Sequence, residues 1–319
     1  MRSGPVLRAA IGGAISIAAL WFVLGGTDLK KTAAVLGHAD LRWIALAIGF
    51  MSLDLGFRAL RWQRLLRPIA RIRYPPMLAY LLIGYLANNI LPARLGELVR
   101  SHYLGDREGI SRAAALGTVV VERIVDLVAV VAIASVALLI LSVRGVVASA
   151  VLVGAAVTGL FLVVLAAGIV AHRLPGLYRI RAMVERYPRV RDLARSLQDG
   201  LSVAARPRTV GEAILASGAS WTMAILSYAA IGQALGIQLS MGQAALIASG
   251  VALASAVPAG PSNLGTFEFA AQLLGTTVGI EPSSALALGV LVHVAQLVVT
   301  SIGGAIAFAR LGWRRSPAA

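Results

Sequence analysis

The chain has 319 residues, 58% of them hydrophobic and 13% charged, with a mean hydropathy of +0.82. A water-soluble domain carries about a quarter charged residues, so this composition excludes one and leaves long uncharged runs of membrane-spanning character. The net charge of +15 lies in arginines between those runs, where it reports topology and draws anionic headgroups rather than nucleic acid, and the absence of cysteine excludes disulfides, thiol nucleophiles and Cys-ligated metals.

The first apolar run, 6–25, follows Arg2 and Arg8 as a signal peptide would. No clear small-x-small cleavage site precedes Thr27, which predicts a retained signal-anchor. A second span is expected over 41–57, ending in the cluster Arg58, Arg61, Arg64, Arg67, Arg71 and Arg73. The stretch 76–105 is apolar but interrupted by Asn88, Asn89 and Pro92. Spans are predicted over 118–142 and 146–171. Residues 172–208 then place Leu177, Ile180, Val184, Leu193 and Leu201 at helical spacing among arginines, with Pro188 splitting the pattern. This reads as a basic cytoplasmic connector, lying in the headgroup plane or solvated, within one integral membrane domain over 1–319. A span over 211–235 follows, and then 243–278, interrupted by Pro258, Gly260, Pro261, Asn263 and Gly265. The last span is expected over 283–309.

Proline removes a backbone donor and glycine frees the backbone, so neither interrupted stretch is one straight helix. Placing the arginine clusters in the cytoplasm puts both termini there, with only Lys30, Lys31, Arg42 and Arg144 in outer loops. The stretch 76–105 must then enter and leave from the inside, and 243–278 from the outside. The expected fold is all-α, a polytopic membrane protein with about six full spans and two oppositely oriented re-entrant helical hairpins. The two breaks echo one another, Pro92-Ala-Arg-Leu-Gly96-Glu97 against Pro261-Ser-Asn-Leu-Gly265-Thr-Phe-Glu268. Broken helices at matching positions of inverted halves point to a transporter binding site near the midplane.

Charge within a bilayer costs at least ~2.5–3.5 kcal/mol per residue at a helix centre, so intramembrane charges need partners or function. Arg94, Glu97 and Arg100 are spaced by threes and fall near one helix face, after Asn88 and Asn89. With a helix N-terminus after Pro92 they suit a phosphate; the alternative is arginines that mark only the cytoplasmic interface. Glu122, Arg123 and Asp126 share a face and can join that set in a buried ion network, structural or gating. Pro258, Pro261, Asn263, Gly265, Thr266 and Glu268 form the second break, either a ligand or cation site or a buried kink. A lone Glu268 is a candidate proton carrier. Asp54 with Arg58 reads as a helix-end ion pair, Arg61, Trp62 and Arg64 as interfacial, and His293 as a satisfied or packed histidine.

Three motifs, Asn88-Asn-Ile-Leu-Pro-Ala-Arg-Leu-Gly-Glu-Leu-Val-Arg100, Glu122-Arg-Ile-Val-Asp126 and Pro261-Ser-Asn-Leu-Gly-Thr-Phe-Glu268, together resemble the flippase-like membrane region of lysylphosphatidylglycerol synthases. The resemblance covers nearly the whole chain. It implies a bacterial plasma-membrane protein handling an aminoacylated phospholipid, a polyprenyl-linked sugar or a hopanoid precursor. It implies site roles for Asn89, Arg94, Glu97, Arg100, Glu122, Arg123, Asp126, Pro261, Gly265 and Glu268. The chain ends at Ala319 without a soluble aminoacyl-transferase domain, so lysyl transfer is not carried over.

The leading expectation is a lipid translocator with membrane lipids as partners, no nucleic acid, no cofactor and no metal. An intramembrane lipid-modifying enzyme is the first alternative, although zinc-protease and serine-elbow motifs are absent and the histidines are scattered. A membrane subunit serving a separately encoded lipid-modifying enzyme is the second, and small residues at 146–171 and Gly303-Gly304 permit helix packing within or between copies. No phosphate-binding P-loop is present, which argues against ATP use by this chain.

Overall fold

The computed structural model describes residues 3–25, 27–91, 95–171, 196, 199–256 and 260–312. Arg94, Pro92 and Pro258, together with most of the 172–208 connector, lie outside them. The described residues are helical and contain no strand. In chain order the helices are α1 (Ser3–Gly25), α2 (Leu29–Gly37), α3 (Leu41–Leu66), α4 (Tyr74–Ile90), α5 (Gly96–Glu108) and α6 (Arg112–Leu141). They continue as α7 (Val146–Ala171), α8 (Pro207–Ala234), α9 (Met241–Ala254), α10 (Thr266–Thr277) and α11 (Pro282–Leu311). Single 3₁₀ turns occupy Ser202–Ala205 and Pro261–Asn263.

Four of these helices, α3, α6, α8 and α11, are long and apolar enough to cross a membrane; shorter apolar stretches are Gly13–Val23, Val146–Leu160 and Met241–Ala254. The chain is a multi-pass membrane protein. Local chemistry sets the helix limits. Asp28 and Asp40 cap α2 and α3, and Ser240 with Gln243 forms a reciprocal capping box on α9. Gly109, at φ +66°, ends α5. The largest difference from the sequence reading is at α3, which continues to Leu66, past the expected end at residue 57; α6 likewise starts at Arg112 rather than at 118. Of the arginines in the cluster after residue 57, Arg58, Arg61 and Arg64 find carboxylate partners on the protein itself, so α3 need not stop at the first of them.

Both interrupted stretches fold as helix-break-helix hairpins, α4 with α5 and α9 with α10. The arms of the first meet without a side chain between them. A Cβ on Gly96 would lie 2.0 Å from the Gly84 carbonyl oxygen, so only glycine permits this approach. α11 lies between the two hairpins, touching α4 and α10, while α3 and α8 run along one another. α6 packs on α3, α5, α8 and α9. The larger apolar core joins α3, α6, α8, α9, α10 and α11 around residues such as Met51, Ile231, Leu246, Ile247 and Leu288. A second core, around Trp62, Met77, Leu81 and Leu104, fixes the first hairpin on α3.

Candidate functional site

Asp54, Arg58 and Arg61 follow one another by four and three residues on α3, so a helical turn of 3.6 residues stacks them on one face. That face meets Glu122 and Asp126, themselves four apart on α6. Arg61 is the hub. Its Nη2 donates to Glu122 Oε1 at 2.9 Å, and its Nη1 donates to Asp126 Oδ1 at 2.9 Å and to Ser217 Oγ of α8 at 2.6 Å. The side chains of Arg61 and Glu122 are both 0% exposed. Arg58 Nε donates to Asp54 Oδ1 at 2.9 Å and its Nη1 lies 3.5 Å from Asp126 Oδ2. From α8, Trp221 Nε1 donates to Asp126 Oδ1 at 3.0 Å and the Ser220 hydroxyl donates to Asp54.

Arg100 of α5 and Arg123 of α6 complete the cluster. Arg100 Nη2 lies 2.9 Å from Glu122 Oε2, and its guanidinium stacks over Trp62, 4.5 Å from the ring centre. Arg123 Nη2 donates to Glu122 Oε1 at 2.7 Å and its Nη1 lies 3.7 Å from Asp126 Oδ2. Four arginines thus face three carboxylates. Desolvating each ion costs several kcal/mol, which the mutual pairing offsets only while every partner stays in place.

On the hairpin side of this network lies a recess lined by Leu81, Gly84, Tyr85, Asn88, Gly96, Glu97, Arg100 and Arg123. The recess is small: about 20 Å³ of it is open to a water-sized sphere, room for about one water or one polar group rather than for a whole ligand. Two of the lining arginines keep an unspent donor: Arg100 Nη1 and Arg123 Nε are buried without a hydrogen-bond partner, as is Glu97 Oε2. Arg100 as a whole is 3% exposed. Asn88 Oδ1 accepts from Gly96 N at 2.7 Å, which closes the break across the mouth of α5.

The second break sits beside the first. Asn89 donates to Thr300 Oγ1 at 2.9 Å and Ser301 Oγ at 3.0 Å of α11, and its carbonyl accepts from Ser262 Oγ at 2.8 Å. Pro261 opens the 3₁₀ turn, and Ser262 and Asn263 both have φ +57°. The Asn263 carbonyl accepts from Thr266 Oγ1 at 2.9 Å. Gly265, at φ +84°, donates its N–H to Glu268 Oε2 at 2.7 Å. Glu268 Oε1 lies 2.6 Å from His293 Nδ1.

The structure therefore brings Arg100, Glu122, Arg123 and Asp126 into one cluster, with Asn88 and Glu97 at its recess; Asn89, Pro261, Asn263, Gly265 and Glu268 form a separate group at the second break. Three readings from the sequence change. Arg61 and Trp62, read from the sequence as interfacial, are fully buried within the protein: Glu122, Asp126 and Ser217 accept from the terminal nitrogens of Arg61, and Thr118 accepts from Trp62 Nε1. Asp54 and Arg58 are not an isolated helix-end pair but an arm of the network. Glu268 is not lone, because His293 faces it. The stacked spacing of residues 54, 58 and 61 was a signal for the first two. Ser217, Ser220 and Trp221 gave none, since they sit among ordinary apolar residues of α8. Among the described residues no group of three or more His, Cys, Asp or Glu side chains is arranged to hold a metal.

Residues 9–304 match the family described as the lysylphosphatidylglycerol synthase TM region, and the chain belongs to that family. It is similar to a protein of Haloferax volcanii named "Glycosyltransferase AglD", with 25% identity over 312 residues, covering 87% of this chain and 50% of that protein. The chain therefore spans about half the length of this curated relative.

Proposed function

We propose that the chain is a lipid translocator. It carries the headgroup of an anionic phospholipid, or of a polyprenyl- or hopanoid-type lipid, between leaflets without ATP. A charged headgroup faces about 30 Å of hydrocarbon. A protein lowers that barrier with a polar recess reached from the bilayer while the tails remain in lipid. In this reading α1 and α7 join the four long apolar helices as full spans. The α4–α5 hairpin dips in from the cytoplasm, the α9–α10 hairpin from the opposite side, and both termini are cytoplasmic in a plasma (inner) membrane. Membrane lipids are the partners; association with a separately encoded lipid-modifying enzyme, or with further copies of the chain, is compatible with this role.

The observation that carries the proposal is Arg100. It is buried against the first break and lines the recess, neutralised on one side by Glu122, and its Nη1 is buried without a hydrogen-bond partner. Arg123 Nε is unspent in the same way, and two such donors match the oxygens of one phosphate. Arg94 of the same break is the third candidate cation. The test is dithionite quenching of fluorescent anionic phospholipid in proteoliposomes. Arg100→Lys keeps the charge beside Glu122 but loses the planar fork. It and Arg94→Ala are expected to slow flipping at least about tenfold while the protein still elutes as a folded species. Wild-type rates in both variants would end this reading.

A second reading has one supporting observation, the likeness to the Haloferax volcanii protein named a glycosyltransferase. By it the chain is the membrane part of a glycosyl-transferring system and presents a lipid-linked acceptor. Formation of a new glycolipid by the purified protein, with no flipping, would favour it.

A further inference from the structure

The translocator reading leaves one buried titratable pair unused, Glu268 of α10 and His293 of α11, respectively 9% and 3% exposed. Both ring nitrogens of His293 face acceptors. Nδ1 lies 2.6 Å from Glu268 Oε1, and Nε2 lies 2.9 Å from the carbonyl oxygen of Ser262. Phe267 stacks on the ring at 4.2 Å and 14°, which holds that orientation. A neutral imidazole has one N–H and a carboxylate has none. A carboxylate with a neutral histidine therefore supplies one proton for two acceptor contacts. Both contacts form only if the pair holds one more proton, as imidazolium with carboxylate or as neutral imidazole with carboxylic acid.

The geometry assigns to Glu268 and His293 a proton-binding site whose bound proton latches the two hairpin breaks together. Ser262 is the link. Its carbonyl is held by His293, and its hydroxyl donates to the Asn89 carbonyl at the end of α4 at 2.8 Å. Loss of the proton to the medium leaves Glu268 ionised and His293 neutral. With Nδ1–H kept by Glu268, the Nε2 lone pair then faces the Ser262 carbonyl lone pairs at 2.9 Å. Two acceptors at that distance repel, and the tip carrying Ser262 separates from α4. Proton binding closes the junction and proton release opens it.

Among the described residues no other charged side chain pairs with Glu268 or His293, and the ionisable Tyr228 of α8 lies buried in the apolar core that also holds Phe267 and Val292. α9 carries no ionisable group, and α10 carries only Glu268. α1 and α4 reach the tip with the uncharged Ser16 and Asn89, and the ionisable residues of α4 are tyrosines. Arg310 stands at the far end of α11 and Glu281 at its start, beside α2 with Lys30, Lys31 and His38. α3 and α8 turn Asp54, Arg58, Arg61, Arg64 and Glu212 to one another and to α6.

The chain has no cysteine, so spin labels can be placed at Ile90→Cys and Leu264→Cys, exposed positions flanking the junction. Pulsed dipolar distances are then measured in liposomes from about pH 5 to about pH 9, the range in which histidine titrates. A single short distance is expected at acid pH. A longer one should replace it as pH rises, the ratio changing about tenfold per unit near the midpoint, as for one proton. Glu268→Gln donates an amide N–H to Nδ1, accepts from Gly265 N and does not titrate. It should keep the short distance throughout. His293→Gln retains a non-titrating donor for Ser262 and should likewise lose the pH response. An invariant wild-type distance, or a pH response surviving in either variant, would overturn the latch. The readout is a distance and needs no transport, so it stands or falls separately from the translocator.

Discussion

Arg61 and Glu122, 61 residues apart in sequence, lie 2.9 Å apart with neither side chain exposed to solvent. Arg61 also holds Asp126 and Ser217, so one guanidinium ties α3 to both α6 and α8. Removing it takes from Glu122 and Asp126 the one fully buried cation that they share. Arg61→Met is expected to destabilise the protein by about 3–5 kcal/mol, the usual consequence of breaking a buried pair. Denaturation in detergent micelles, followed by circular dichroism, checks this; an unchanged midpoint would mean that water or lipid solvates the network.

The pair between Arg64 and Glu212, at 3.4 Å, provides the contrast. Its side chains are 39% and 28% exposed, so water screens it. Glu212→Gln should shift stability by less than about 1 kcal/mol in the same assay, and should leave flipping unaltered.

Gly96 sets the width of the recess. A methyl group there would meet the Gly84 carbonyl at 2.0 Å and the Asn88 side chain at 2.6 Å, and the first of these is backbone that cannot step aside cheaply. Gly96→Ala should cost about 1–3 kcal/mol by overpacking and spread the first hairpin. Flipping should fall more steeply than stability, because the variant also displaces Arg100 and Asn88. Loss of stability and transport in equal measure would instead point to general unfolding.

Glu281 caps α11, accepting from Ser284 N at 3.0 Å, and this backbone hydrogen bond lowers its carboxyl below the ordinary glutamate value. A folded value below the unfolded one gives stability that is complete above the unfolded value, about 4.3, and lost as pH falls through the folded one. The wild-type thermal midpoint should therefore drop more between about pH 5 and about pH 3 than that of Glu281→Gln. Parallel curves would deny the cap a role.

The membrane class, the all-helical fold, the interruptions of the two apolar stretches and the family were legible in the residues alone. These rest on local properties: apolar run length, the missing backbone donor of proline, the freedom of Gly96 and Gly265, and the short motifs around them. The sequence also carried Glu122 and Asp126 as one face of α6. Folding in three dimensions was needed to put Arg61 at the centre of a buried network, to bring Ser217 and Trp221 of α8 to it, and to set His293 against Glu268. Those contacts join residues far apart in the chain. An arginine near the end of an apolar run reads the same from sequence whether water or a carboxylate receives it. The partner is fixed by how α3, α6 and α8 pack, and that packing is a sum of many small apolar contacts with no short sequence signature.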